Sequence, residues 1–210
     1  MKTIVLLVLL MLLMLLAAIN TANAADNHII KQYFAIEDSQ VLEIDVPVGN
    51  LKMIAYDGEQ IEVSVVLKSQ QHGNWYPHTN NLSDIKLKSQ RNQNKLSLSI
   101  DEENLQQHWH VKVPTAFRLD IEIGVGNVDI ADLDNSAEVE VGVGKVRIGT
   151  NVSDFNSVSL ESGVGNTSLI GLVNKAQHHK KVIHSETIYH GKGAYNLEVE
   201  VGVGNIKVRH

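Results

Sequence analysis

A four-residue motif, Gly-Val-Gly-Asn or a close variant, recurs at Gly124–Asn127, Gly142–Lys145, Gly163–Asn166 and Gly202–Asn205, and a partial copy, Pro47-Val48-Gly49-Asn50, lies nearer the start. The first glycines are 18, 21 and 39 residues apart, the last close to two periods, and Gly191-Lys192-Gly193 stands where the missing copy is expected. A period of about 20 residues is a mark of stacked repeats. The flanking sequence alternates. Leu42, Ile44 and Val46 alternate with Glu43, Asp45 and Pro47; Leu119, Ile121 and Ile123 with Asp120 and Glu122; Leu197, Val199 and Val201 with Glu198 and Glu200. Such alternation describes strands with one face in a core and one in water. It runs to the middle valine and resumes three residues on: Val48 to Leu51, Val125 to Val128, Val143 to Val146, Val203 to Ile206. The expectation is that the middle valine points inward and that the next two residues turn the chain sharply. Glycine reaches positive φ without strain, and asparagine tolerates the left-handed region. The expected corner residues are Gly49, Asn50, Gly124, Gly126, Asn127, Gly142, Gly144, Gly163, Gly165, Asn166, Gly202, Gly204 and Asn205.

Ile61–Val65, Leu96–Ile100 and Trp109–Val113 alternate in the same way, and only Asp101–Gln107 suggests a turn of helix. The class is all-β. Two geometries fit the corners: a single-stranded β-solenoid or β-roll of short strands, in which each coil stacks on the last, and an antiparallel hairpin meander or sandwich with two-residue Gly-Asn loops. The repeat length favours the solenoid, as does Lys145 in an asparagine position. Against it, Asp120/Glu122, Glu138/Glu140 and Glu198/Glu200 would stack as like charges, which costs energy.

The chain's ends and composition bound its class. Lys2, an apolar run from Ile4 to Ile19 and the Ala22-Asn23-Ala24 pattern read as a secretory signal cleaved after Ala24. The expected divisions are 1–24, a cleaved signal peptide; 25–117, an N-terminal β-rich part; and 118–210, the repeat part of the same domain. The mature protein is expected in the periplasm or outside the cell. With no cysteine there is neither disulfide nor thiolate metal site. A formal net charge of −6 argues against general nucleic-acid binding.

Motifs that carry chemistry are sparse. The glycines are followed by strand rather than by a helix and a third glycine, so the dinucleotide fingerprint fails; no phosphate loop and no calcium nonapeptide repeat occurs. No serine sits in a nucleophile elbow. Neither catalytic residues nor a cofactor are expected. Metal candidates are His108 and His110, two apart on a strand and facing one way, and the His-rich group His178, His179, His184 and His190, beside Lys180 and Lys181. Trp75 and Tyr76, in the polar stretch Ser69–Ser83, are a candidate recognition tip. Before the corners sit Glu43/Asp45, Asp120/Glu122, Glu138/Glu140, Glu161 and Glu198/Glu200; after them sit Lys52, Arg147, Lys207 and Arg209, with Asp129 and Ser168 as breaks. In a stack, this sorts charge by side and offers a docking face for a cationic partner or calcium.

The segments Val46-Pro47-Val48-Gly49-Asn50-Leu51, Ile123-Gly124-Val125-Gly126-Asn127-Val128, Val141-Gly142-Val143-Gly144-Lys145-Val146 and Val201-Gly202-Val203-Gly204-Asn205-Ile206 resemble the putative-adhesin domain family of unknown function, which includes head domains of putative auto-transporter adhesins. The resemblance covers roughly Val41 to Val208. It implies a stacked β-solenoid or β-roll and supplies no catalytic residues; the expectation for function is an exported, non-enzymatic, adhesin-like protein that binds an envelope or surface partner. The alternative expectation is a periplasmic metal-binding or envelope-stress protein using the histidines. Because the repeats run almost to His210, an exposed edge strand and self-association through it are also expected. On export, the mature chain should begin at Ala25, which N-terminal sequencing or intact mass determines.

Overall fold

A computed structural model describes residues 27–36, 40–69, 81–102 and 105–210. The signal sequence and the Trp75-Tyr76 stretch lie outside the described residues. The elements are β1 (Asn27–Ala35), β2 (Val41–Tyr56), β3 (Gln60–Ser69), one 3-10 turn (Leu82–Asp84), β4 (Lys88–Asn92), β5 (Lys95–Ser99), β6 (Leu105–Pro114), β7 (Arg118–Leu133), β8 (Ala137–Thr150), β9 (Ser157–Ile170), β10 (Gln177–Lys181), β11 (His184–His190) and β12 (Asn196–Arg209). They form one open, mixed sheet of twelve strands in the order β1-β3-β6-β2-β7-β8-β12-β9-β11-β10, with β5 also on β2 and β4 on β5. The class is all-β, as expected. Where a helical turn was expected, Leu105–Gln107 begins β6.

Each Gly-Val-Gly-Asn copy lies in the middle of a long strand. Strands β2, β7, β8, β12 and β9 run parallel, each 14 to 16 residues long. This excludes the hairpin alternative, because the chain continues past the motif without reversing. It bends instead. On β7, Leu119, Ile121 and Ile123 are buried before the motif and Val128 and Ile130 after it, and both groups belong to one core. Two half-sheets therefore cover a common interior. At β2 they separate visibly: its first half pairs with β5 (Val41↔Lys95 to Asp45↔Ser99), its second half with β6 (Gly49↔Gln107 to Tyr56↔Pro114).

The middle valine corrects the sequence reading. Val125, Val143, Val164 and Val203 are 43% to 50% exposed, so the turn occupies the whole motif with valine on its outside. The second glycine is required for a reason that φ alone misses. Gly126, Gly165 and Gly204 do have φ of 156°, 157° and 152°, but each also presses on the neighbouring strand. A Cβ on Gly126 would lie 1.5 Å from the Gly49 carbonyl oxygen; on Gly144, 1.5 Å from that of Gly126; on Gly204, 1.6 Å from that of Gly144; on Gly165, 1.6 Å from that of Gly204. Each corner seats its backbone in the one before. The pairings Gly49↔Gly126, Gly126↔Gly144, Gly144↔Gly204 and Gly204↔Gly165 accordingly keep all five motifs in register.

The strands do not stack in chain order. β12 is inserted between β8 and β9, parallel to both. The last repeat is thus interior to the sheet, and the expected exposed edge is not there. The edges are β1, β10 and the β4 hairpin strand. β4 and β10 are five residues long and exposed throughout, with Lys88 and Arg91 on one and Lys180 and Lys181 on the other, features that discourage edge pairing. Gly191 and Gly193 are not a further corner. They close on Asp154, which accepts from the Tyr189 hydroxyl and from the Lys192 backbone N–H (3.1 Å), and a Cβ on Gly193 would lie 1.8 Å from the Asp154 carbonyl oxygen.

The core is aliphatic, and Trp109 lies fully buried in it. Its indole N–H donates to Gln107 Oε1 (2.9 Å), and the buried Gln107 amide donates to the Ile100 carbonyl (2.9 Å), so no polar atom of this pair is stranded. Near β9 the core turns polar: Thr167 Oγ1 lies 2.9 Å from Ser185 Oγ and 2.7 Å from Thr187 Oγ1.

Replacing Gly144 by Ala forces backbone against backbone and should cost about 3 kcal/mol or more. Gly149→Ala is the control, since its Cβ would meet nothing closer than 3.8 Å, and it should change stability by less than about 1 kcal/mol. Urea denaturation of the two variants measures the difference.

Candidate functional site: the two outward faces

Strict register places equivalent residues of successive strands side by side, about 4.8 Å apart. On the half-sheet before the corners this builds a row of six carboxylates: Asp45, Glu122, Glu140, Glu200, Glu161 and Glu186. A second row holds Glu43, Asp120, Glu138 and Glu198. The stacking of like charges that argued against a parallel stack is present. Cations relieve it only in places. Lys95 Nζ bridges Glu43 and Asp120 at 2.9 Å each, and Arg118 meets Glu138 at 2.9 Å.

The energetic trace of this crowding is in the carboxyls. Glu140 is held above the ordinary glutamate range by burial first, then by Glu200, Glu122, Glu138 and Asp120. Asp45 is raised by burial, Asp101 and Glu43. Glu43 goes the other way, lowered by hydrogen bonds from Ser97 and Lys95.

The half-sheet after the corners has the opposite sign. The row Lys31, Ser64, His110, Lys52, Asp129, Arg147, Lys207 crosses from β1 to β12 in register. Its carboxylate, Asp129, is held by Arg147 at 2.9 Å. Along the corner runs an amide row. Asn50 Oδ1 accepts from Asn127 N (3.1 Å) and Nδ2 (2.9 Å), and Asn205 Oδ1 accepts from Asn166 N (3.0 Å) and Nδ2 (3.2 Å). Lys145 stands between these two pairs. An ammonium cannot accept a hydrogen bond, so the amide row is cut in two there and a cation is set on the face instead.

His108 and His110 face one way, as expected, and line one groove of about 520 Å³. The sequence did not reveal that Lys68 and Lys145 share it. The signal was available only through register: His108 lies opposite Asn50 on β2 and Val66 on β3. The other histidines are not gathered. His178 faces Thr187 with Nδ1 2.9 Å from its hydroxyl, His179 pairs with Glu186, His184 sits 3.9 Å from Glu161, and His190 is at the far end of β11. Among the described residues, no three His, Asp or Glu side chains are grouped so as to hold a metal ion. Among the same residues, no helix is long and apolar enough to cross a membrane.

No protein-family model and no curated protein sequence matches the chain. Solved structures do. A putative cell adhesion protein from Clostridium sporogenes is 14% identical, with 87% of this chain and 99% of that one covered and a TM-score of 0.48. A putative adhesin from Bacteroides fragilis is 14% identical, covering 86% and 97%, with a TM-score of 0.30. A putative adhesin from Parabacteroides merdae is 10% identical, covering 86% and 80%, with a TM-score of 0.27.

A carboxyl whose folded pKa is raised contributes a penalty that sets in as pH rises from the ordinary glutamate value and is fully present above the raised one. Glu140→Gln removes it. The variant should gain up to about 1 kcal/mol at pH 7 in low salt. The gain should close as pH falls through the raised value, and shrink in about 1 M salt, where the Debye length is about 3 Å. Denaturation curves against pH and salt follow it.

Proposed function

We propose that this chain is an exported, non-enzymatic, adhesin-like protein that binds an envelope or surface partner through its outward sheet faces. We read the five bent strands as coils of a β-solenoid whose last coil is inserted out of order. The observation that supports the binding reading is the sorting of charge by half-sheet: acidic rows before the corners, a mainly basic row after them, on one continuous set of strands. Interleaved signs would relieve the repulsion and keep the protein equally soluble. The chain instead carries like charges side by side, which is the arrangement that gives a wide field of one sign to an approaching partner. The acidic face fits a cationic partner. Export rests on the pattern of the first 24 residues.

The test reverses the charge of Glu138, Glu140, Glu198 and Glu200 together and measures retention of the purified protein on native envelope fractions. Retention should fall about tenfold, with folding checked by circular dichroism. Unchanged retention at low salt would remove the acidic face from the binding surface.

A further inference from the structure

The basic half-sheet is a second surface with its own chemistry. It contains the groove that His108 and His110 line with Lys52, Lys68, Lys145 and Arg147. Of these four permanent cations only Arg147 has a carboxylate partner among the described residues, and that is Asp129. A chain of formal charge −6 thus concentrates unneutralised positive charge in one concavity.

The groove also holds a donor without a partner. Asn50 has its oxygen turned to Asn127, from which it takes two hydrogen bonds, so its amide N–H₂ faces His108 Nδ1 at 3.4 Å. Nδ1 is then the accepting nitrogen and Nε2 carries the proton. That Nε2–H is buried and has no partner. The groove thus gathers one unpartnered imidazole N–H and three lysines that have no carboxylate partner among the described residues.

The row continues past the groove on both sides, to Lys31 on β1 and Lys207 on β12. Seven strands lie between these ends inclusive, or about 29 Å at the usual strand spacing. Among the described residues, this face carries one exposed aromatic, Tyr33 on the edge strand, and one half-buried beside Lys112, Tyr56, and neither lies in the groove, where sequence-tolerant binding of nucleic acid uses aromatic platforms for the bases. The Trp109 ring under the groove is fully buried and unavailable for stacking.

We propose that this groove is an oxyanion site and that the basic row extending from it binds an acidic polysaccharide laid across the strands. Lys52, Lys68, Lys145 and Arg147 supply the charge, and Asp129 restrains it by occupying Arg147. This ligand is not the cationic partner of the acidic face, and the two surfaces are tested separately.

The experiment measures binding of dextran sulfate to the full folded chain by isothermal titration at two salt concentrations. Neutral dextran and a single-stranded oligonucleotide are run beside it. Dextran sulfate should bind at least tenfold more tightly than neutral dextran and than the oligonucleotide at equal salt, with affinity falling as salt rises. The triple variant Lys52→Gln/Lys145→Gln/Arg147→Gln should lose tenfold or more. Asp129→Asn should bind several-fold more tightly, a gain that a merely misfolded variant could not give. Lys192→Gln, at an exposed lysine in the loop after β11 and outside the row, should bind as tightly as the wild type. The His108 ring signals provide a second readout. Its pKa is held below the ordinary histidine value by burial and by Lys68, His110 and Lys52, and it should rise when dextran sulfate is bound. Equal binding of neutral dextran, or a triple variant with unchanged affinity, would overturn the site. An oligonucleotide that binds as tightly as dextran sulfate would overturn the polysaccharide assignment.

Discussion

The contact that the rest of the molecule depends on is between backbones. At the second glycine of each motif, the Cα of one strand lies where a side chain would enter the carbonyl of the next, with 1.5 to 1.6 Å left for a Cβ that is not there. Register in a sheet is usually held by hydrophobic pattern and turn geometry, and a slip of one residue exchanges the two faces. Here a slip of even one residue would bring valine or asparagine into a space that admits only hydrogen. Steric exclusion therefore sets the register of β2, β7, β8, β12 and β9, and hydrophobic burial of both half-sheets in one core follows from it.

Strict register has an electrostatic consequence. Residues that are equivalent in the repeat must become neighbours in space, so any charge preference within the repeat is multiplied along the stack. A glutamate two places before the first glycine yields a row of carboxylates; a lysine two places after the asparagine yields the start of a basic row. The molecule's faces are thus a direct projection of its repeat. Departures from the repeat, such as Lys145, Asp129 and Ser168, are where the surface acquires local character. Lys145 breaks the amide row and adds a cation; Asp129 neutralises Arg147.

Much of this was legible in the sequence, and the failures have physical causes. Alternation around Ile121, Val139 and Val199 identified the inward faces, and the phase change at each motif located the bends. Counting phase places Val125 and its equivalents inward, because parity cannot show that all four residues of the motif are spent on the turn. The sequence suggests a need for positive φ at the second glycine, whereas Gly144 shows that the neighbouring strand demands it. Like-charge stacking was weighed as evidence against a parallel stack; the aliphatic core and the glycine contacts outweigh a repulsion that water and salt largely screen. The basic groove was illegible because Lys68, His108 and Lys145 are brought together by pairings of β3, β6, β2, β7 and β8 that no local pattern announces. Trp75 and Tyr76 fall outside the described residues, so the idea of a recognition tip stands where the sequence left it.

Strand β12 lies between two strands that both precede it in the chain. Without it, β8 and β9 would each present an unpaired parallel edge over the core. The slot accepts only a segment with glycines at the right two places, and β12 is such a segment. The pairings Leu197↔Ala137 and Leu197↔Val158 are long-range in the chain, and strand pairing of this kind is slow. A chain released or cleaved before Asn196 would keep most of its residues and still lack the one strand that joins its two halves, so completeness of the polypeptide is checked by the fold itself.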